Sequence, residues 1–148
     1  DLDAAHARGD LVHHGFVPNA RASALLDGAL AGVSLLRDAP NFRHSMPTKV
    51  VEYMAHGIPV VTTPLPLAVA EVEQGACGAV VPFGSAGVEQ ALEHLLRWRD
   101  DAPLRESLGR SGRQRAVAHH SWQATAPVFL DAVRTVGAAA RQGRPSPR

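Results

Sequence analysis

A single cysteine, Cys77, stands in 148 residues. That excludes an internal disulfide framework and an all-cysteine metal cage. An excess of one charge is also missing: 15 Lys+Arg face 14 Asp+Glu. A near-neutral chain lacks the basic face expected of a nucleic-acid platform. No apolar run approaches the roughly 18 residues that a membrane span needs. The start, Asp1-Leu2-Asp3, is not a basic-then-apolar leader, so the expected location is cytoplasmic. Asp1 in place of an initiator methionine reads as a fragment or a processed product. Internal repeats are absent, and aromatics are only 5% of the chain. Fourteen arginines stand against one lysine, as in a GC-rich coding sequence, so Lys49 stands out. What remains is 45% hydrophobic and 20% charged, the composition of a globular chain. The length suits one domain, able to bury about two-thirds of its unfolded surface.

The patterning alternates strands with helices. Residues 11–16 read as a strand ending at Val17-Pro18, with Asn19 capping a helix to about Leu30. Its inner face would be Ala22, Leu25, Leu26 and Ala29. Residues 32–36 form an apolar strand with both faces covered, as in a parallel sheet. A polar loop from Arg37 to Pro47 leads into a helix from Thr48 to His56, buried through Val50, Val51 and Met54 and closed by Gly57. Residues 59–63 are a third strand. Pro64 and Pro66 open a helix to Gln74 that stops at Gly75, and residues 78–82 are a fourth strand. Ser85 to Arg99 is amphipathic, with Val88, Ala91, Leu92, Leu95 and Leu96 inward. Helices then run from Asp101 to His119 and, capped by Ser121, from Trp122 to about Ala140. Residues 141–148 read as a disordered tail. The class is α/β: a parallel sheet with flanking helices and a helical C-terminal extension. Ligands of such sheets sit beyond the carboxyl ends of the strands.

The chemistry concentrates after the second strand, in PNFRHSMPTKVVEYMAHGIPVV from Pro40 to Val61. A polar loop enters a helix start bearing Ser45, Pro47, Thr48 and Lys49. Free N–H groups at a helix start favour an anion, phosphate above all, and Lys49 adds a full positive charge. Glu52, one turn on, is badly placed for phosphate and well placed to accept hydrogen bonds from a sugar diol. Together they describe a nucleotide or nucleotide-sugar. From the residues alone, the same pattern reads equally as a helix cap plus a surface ion pair worth under about 1 kcal/mol.

This segment resembles the C-terminal domain of GT-B retaining glycosyltransferases of family four, the group 1 transferases. Pro47 to Ala55 and Gly57 to Val61 match the family's Glu-x7-Glu loop and helix. Val12 to Pro18, Gly78 to Pro82 and His120-Ser121-Trp122 resemble its flanking motifs, over about Leu11 to Leu130. The resemblance implies a Rossmann-like sheet, the second half of a GT-B C-terminal domain. Transfer would move a hexose from a nucleoside-diphosphate sugar to an acceptor with retention, in bacterial polysaccharide or glycolipid synthesis, and with no cofactor. Glu52 corresponds to the second motif glutamate, which binds the ribose hydroxyls. Ser45, Met46, Pro47 and Thr48 correspond to the loop approaching the diphosphate and donor sugar, with Lys49 beside it. Phe16 and Val17 correspond to the edge of the base pocket. The first motif glutamate is replaced by His44, which puts sugar contact there in doubt; no residue is a convincing nucleophile.

By the same resemblance, two strands and the acceptor-binding N-terminal domain precede Asp1. The strand at 32–36 then becomes an open edge that invites self-association, the last helix is loosely held, and the isolated chain is expected not to transfer sugar. Relatives work at membranes, so peripheral membrane association of the full-length protein is implied. Two other functions compete: a non-catalytic nucleotide-sugar-binding module, favoured by His44, and a sugar-nucleotide epimerase of GT-B shape, which needs more acid–base groups than residues 38–47 offer. A receiver domain needs clustered aspartates at strand ends, and these are absent. His13-His14 would point to opposite faces of a strand, a poor metal site. Arg105, Arg110, Arg113 and Arg115 read as a solvated helix face, and Cys77 as a small buried hydrophobe.

Overall fold

A computed structural model describes the backbone of residues 1–142 and the side chains of residues 1–138. The elements are α1 (Leu2–Ala7), α2 (Asn19–Ala24), β1 (Gly32–Ser34), α3 (Pro40–Arg43), α4 (Thr48–Ala55), β2 (Val60–Thr62), α5 (Pro66–Gly75), β3 (Gly78–Val80), α6 (Ser85–Asp100), α7 (Ala102–His120) and α8 (Trp122–Gln142). The tail expected at 141–148 falls on α8 for its first two residues and otherwise outside the described residues.

Three parallel strands pair in the order β1-β2-β3, with Val33 opposite Val61 and Val61 opposite Ala79. The central strand explains the architecture. Val60 and Val61 are both fully buried and point to opposite faces. Val60 joins Val50, Met54, Leu65, Val72, Cys77 and Ala116, the layer of α4, α5 and α7. Val61 joins Val81, Ala91 and Trp98, the layer of α6. A strand covered on both faces carries no polar alternation; the buried Thr62 that ends it satisfies its hydroxyl by donating to Ser34 O at 3.3 Å.

Several expectations need correction. Residues 11–16 form no strand. The His6 ring Nδ1 lies 3.2 Å from Leu11 O and 3.3 Å from His13 N, so either tautomer ties this backbone to α1 in place of a ladder. Asn19 does not cap α2; it is the first helical residue, and the helix ends at Ala24, not Leu30. At the sheet edge Val33 stays 42% exposed, so β1 is not covered on both faces. The polar loop contains the short α3. In α6 the inward residues are Gly87, Ala91, Leu95 and Trp98, while Val88, Leu92 and Leu96 are exposed. Gly87 decides this: a Cβ there would meet Pro82 O, so α6 approaches the β3 exit on its glycine face. The helix α5 does stop at Gly75, and the left-handed residue is the Ala76 that follows (φ 42°). Gly75 is needed for room, since a Cβ would lie 3.1 Å from Cys77 Sγ and from Arg115 Cδ.

The helix α7 packs across α4 through two glycines. A Cβ on Gly109 would lie 2.0 Å from Gly57 O, and one on Gly112 would lie 3.0 Å from Cys77 Cβ. Ser121 caps α8 as expected, its Oγ accepting from Ala124 N at 3.2 Å. Beyond that corner α8 leaves Trp122, Phe129, Val133 and Val136 exposed.

Candidate functional site

The loop after β1 is shaped by a fork of two hydrogen bonds: Arg43 donates to both carboxylate oxygens of Asp38 at 2.6 Å. These bonds hold the Asp38 carboxyl below its ordinary value and raise the Arg43 guanidinium. His44 follows as the exposed residue ending α3. The Ser45 hydroxyl turns back, donating to Asn41 O at 3.1 Å. Met46 is half-buried and Pro47 is buried. Pro47 occupies the cap position of α4 and offers no side-chain bond; its carbonyl accepts from Val50 N at 2.9 Å, which leaves the N–H groups of Thr48 and Lys49 at the helix start. Thr48 is therefore the first helical residue and not a cap.

Lys49 Nζ donates to Glu52 Oε2 at 2.8 Å across one turn of α4. This bond, and then the nearby carboxylate charge, raise the Lys49 pKa. Both side chains remain about half in water or more (63% and 48%). Such a pair is worth under about 1 kcal/mol, so a bound anion can replace Glu52 as the partner of Lys49 at little cost.

Both residues line a cleft of about 470 Å³ between α4 and α2. Asn19, Ala22, Ser23, Leu25 and Leu26 form one wall; Lys49, Glu52, Tyr53 and His56 form the other. Lys49 lies three and four residues before Glu52 and Tyr53, and His56 four and three after them, which places all four along one helix face. The Tyr53 ring is fixed from behind by β1, because it lies where a Cβ on Gly32 would be, 2.1 Å from its ring carbons. Burial raises the Tyr53 hydroxyl pKa, so it stays protonated and can donate. At the far end Ser23 Oγ lies 2.9 Å from His56 Nε2, and Asp27 Oδ1 lies 3.5 Å from His56 Nδ1.

The structure thus brings Lys49 and Glu52 into one cleft. It leaves Phe16, Val17, His44, Ser45, Met46, Pro47 and Thr48 out of its lining. Phe16 projects fully into solvent because its segment forms no strand. Asn19, Ser23, Tyr53 and His56 join the site unforeseen. Tyr53 and His56 share the face of Lys49 and Glu52 by helical spacing, whereas Asn19 and Ser23 are revealed only by the contact between α2 and α4, which no local pattern carries. A second, smaller cleft of about 240 Å³ opens at the carboxyl ends of the strands, between Leu35–Arg37, Thr63 and Gly84–Val88. Among the described residues no three His, Cys, Asp or Glu side chains group to hold a metal ion, and no helix is long and apolar enough to cross a membrane.

A second polar cluster sits away from the cleft. Glu71 on α5 is 7% exposed and accepts from Arg115 Nε at 2.7 Å. His120 Nε2 lies 3.0 Å from the same oxygen. Burial alone would raise the Glu71 carboxyl, but the bonds from Arg115 and His120 outweigh it and hold the group below its ordinary value. Arg115 is therefore no solvated face residue, and Arg105 also turns inward, donating to Trp98 O at 2.7 Å. Cys77 is buried nearby, its thiol pushed up to about 11 by burial, and so is inert.

The glycosyl transferase-like family model matches residues 4–131. The chain belongs to this glycosyl transferase-like family. Its matched span holds the whole sheet, both walls of the α2–α4 cleft and the Glu71 cluster. Membership assigns this glycosyl transferase-like domain a general role in glycosyl transfer. No curated protein matches the chain.

Proposed function

We propose that this domain is the donor-binding part of a group 1, GT-B, retaining hexosyltransferase that uses a nucleoside-diphosphate sugar. The observation that carries the reading is the placement of Lys49 and Glu52 side by side in the α2–α4 cleft, just behind an uncapped helix start. The Lys49 ammonium and the N–H groups of Thr48 and Lys49 meet the diphosphate. Glu52, released from Lys49, accepts from the ribose hydroxyls. The loop residues Ser45, Met46, Pro47 and Thr48 approach the phosphates and the sugar, and Phe16 and Val17 approach the base once the donor is bound. The acceptor is supplied by another domain, in the cytoplasm or at a membrane surface.

The test is calorimetric titration with UDP, GDP and ADP, beside Glu52→Ala. A lost hydrogen bond to a charged group weakens binding roughly ten- to a hundred-fold. At least one nucleotide is expected to bind saturably and to lose affinity in that range. Equal binding by the parent and Glu52→Ala would refute the role of Glu52.

His44 favours a second reading. An exposed histidine where the resemblance expects a carboxylate suits a module that binds the nucleotide-sugar without transferring it. His44→Glu, tested in the full-length protein with its acceptor-binding domain, separates the two: it raises turnover there only if the first reading is right.

A further inference from the structure

The wall of the cleft formed by α2 is weakly held. No residue of α2 is buried. Among the described residues the one side-chain hydrogen bond between α2 and α4 is Ser23 to His56, at 2.9 Å. His56 is the residue that ends α4, two turns along the face that carries Lys49 and Glu52. Its ring is anchored on the other side: Asp27, in the turn after α2, places Oδ1 3.5 Å from Nδ1. A carboxylate there favours the proton on Nδ1, which leaves Nε2 to accept from the Ser23 hydroxyl. The ring itself is fixed, with its side chain only 25% exposed, while Asp27 is open to water at 78%.

We propose that Ser23 and His56 are a positioning pair, a latch that sets the width of the α2–α4 cleft and so holds its α2 wall against a bound nucleotide. The inference rests on the reading of this cleft as the nucleotide site. Neither residue touches the reacting atoms; both act through α2. The latch closes the end of the cleft opposite Lys49, so that a ligand anchored at Lys49 and Glu52 meets a fixed surface on Asn19 and Ala22 instead of a drifting helix. Without the latch, α2 must be ordered at each binding event, and affinity falls by that ordering cost. The rest of the fold is indifferent, since α2 contributes no buried residue to either core layer.

Two measurements on the full chain test this, with His56→Ala, Ser23→Ala and the conservative His56→Gln. The first is amide hydrogen exchange without ligand. His56→Ala is expected to lose protection over residues 19–26 while β2 and α5 keep theirs; unchanged exchange in α2 would overturn the latch whatever the ligand. The second is calorimetric affinity for the tightest of UDP, GDP and ADP. Loss of one neutral hydrogen bond predicts about five-fold weaker binding in either alanine variant, restored to within about two-fold by His56→Gln, whose amide can still pair with Ser23. A melting temperature that falls in step with affinity would show a merely structural role and overturn the proposal. Looser α2 with unchanged affinity would overturn the positioning role and leave the Glu52 reading standing. Absence of nucleotide binding in the parent would remove both.

Discussion

Glu71→Ala is expected to lower the unfolding free energy by about 3 kcal/mol, read from urea denaturation. The substitution deletes the acceptor of Arg115 and His120, whose side chains are only 16% and 27% exposed. Removing one partner of a buried ion pair leaves the other charge uncompensated, at a cost of about 3–5 kcal/mol. The lower end applies because Arg115 and His120 both keep some access to water. The cluster joins α5 to the end of α7 at the corner where α8 begins, so three helices loosen together. The pH dependence follows in sign. The folded-state value of Glu71 lies below its ordinary 4.5. Its stabilisation is therefore fully present above that value and is lost as pH falls through the lower, folded one. Glu71→Gln should flatten this part of the acid limb; an unchanged limb would mean that Glu71 is not the group that titrates.

Gly109→Ala is expected to cost about 3 kcal/mol, the upper end of the usual overpacking range. The atom in the way is the backbone oxygen of Gly57, 2.0 Å from the added Cβ, and a backbone cannot swing aside as a side chain can. Gly57 is itself fixed at φ 70° as the residue that turns the chain from α4 toward β2. The helix α7 must then lift from α4, opening the layer around Met54 and Cys77. Gly137→Ala in α8 is the control: nothing lies within 4 Å of its added Cβ. There the smaller backbone entropy of alanine should stabilise by roughly 0.5–1 kcal/mol. If both substitutions had the same sign, close packing of α7 on α4 would be the wrong account of Gly109.

These glycines mark where sequence reading fell short. The helix α7 was legible as a helix, and Arg110 and Arg113 are exposed as expected, but Arg105 and Arg115 turn inward. Gly109, Gly112 and Ala116 form the contact. Small residues announce a close approach only when the partner is known. The β2–α5–β3 order was legible because a doubly covered strand lacks polar alternation, as Val60 and Val61 show, and prolines flank it. Residues 11–16, Leu-Val-His-His-Gly-Phe, read as a strand from their apolar ends and form none, since pairing requires a neighbour and His6 of α1 supplies hydrogen bonds instead. The Lys49–Glu52 pair was legible because both lie on one helix, where spacing fixes distance. Ser23 and His56 lie 33 residues apart and meet only through tertiary packing.

The central claim is that nucleotide binds between α2 and α4. The most direct test is the map of backbone amide shifts in the isotope-labelled chain as UDP, GDP and ADP are added. Saturable shifts are expected at Asn19, Ala22, Lys49, Glu52, Tyr53 and His56 for at least one of the three, with their loss in Glu52→Ala. Shifts confined to Leu35–Arg37 and Gly84–Val88, the cleft at the strand ends, would contradict it.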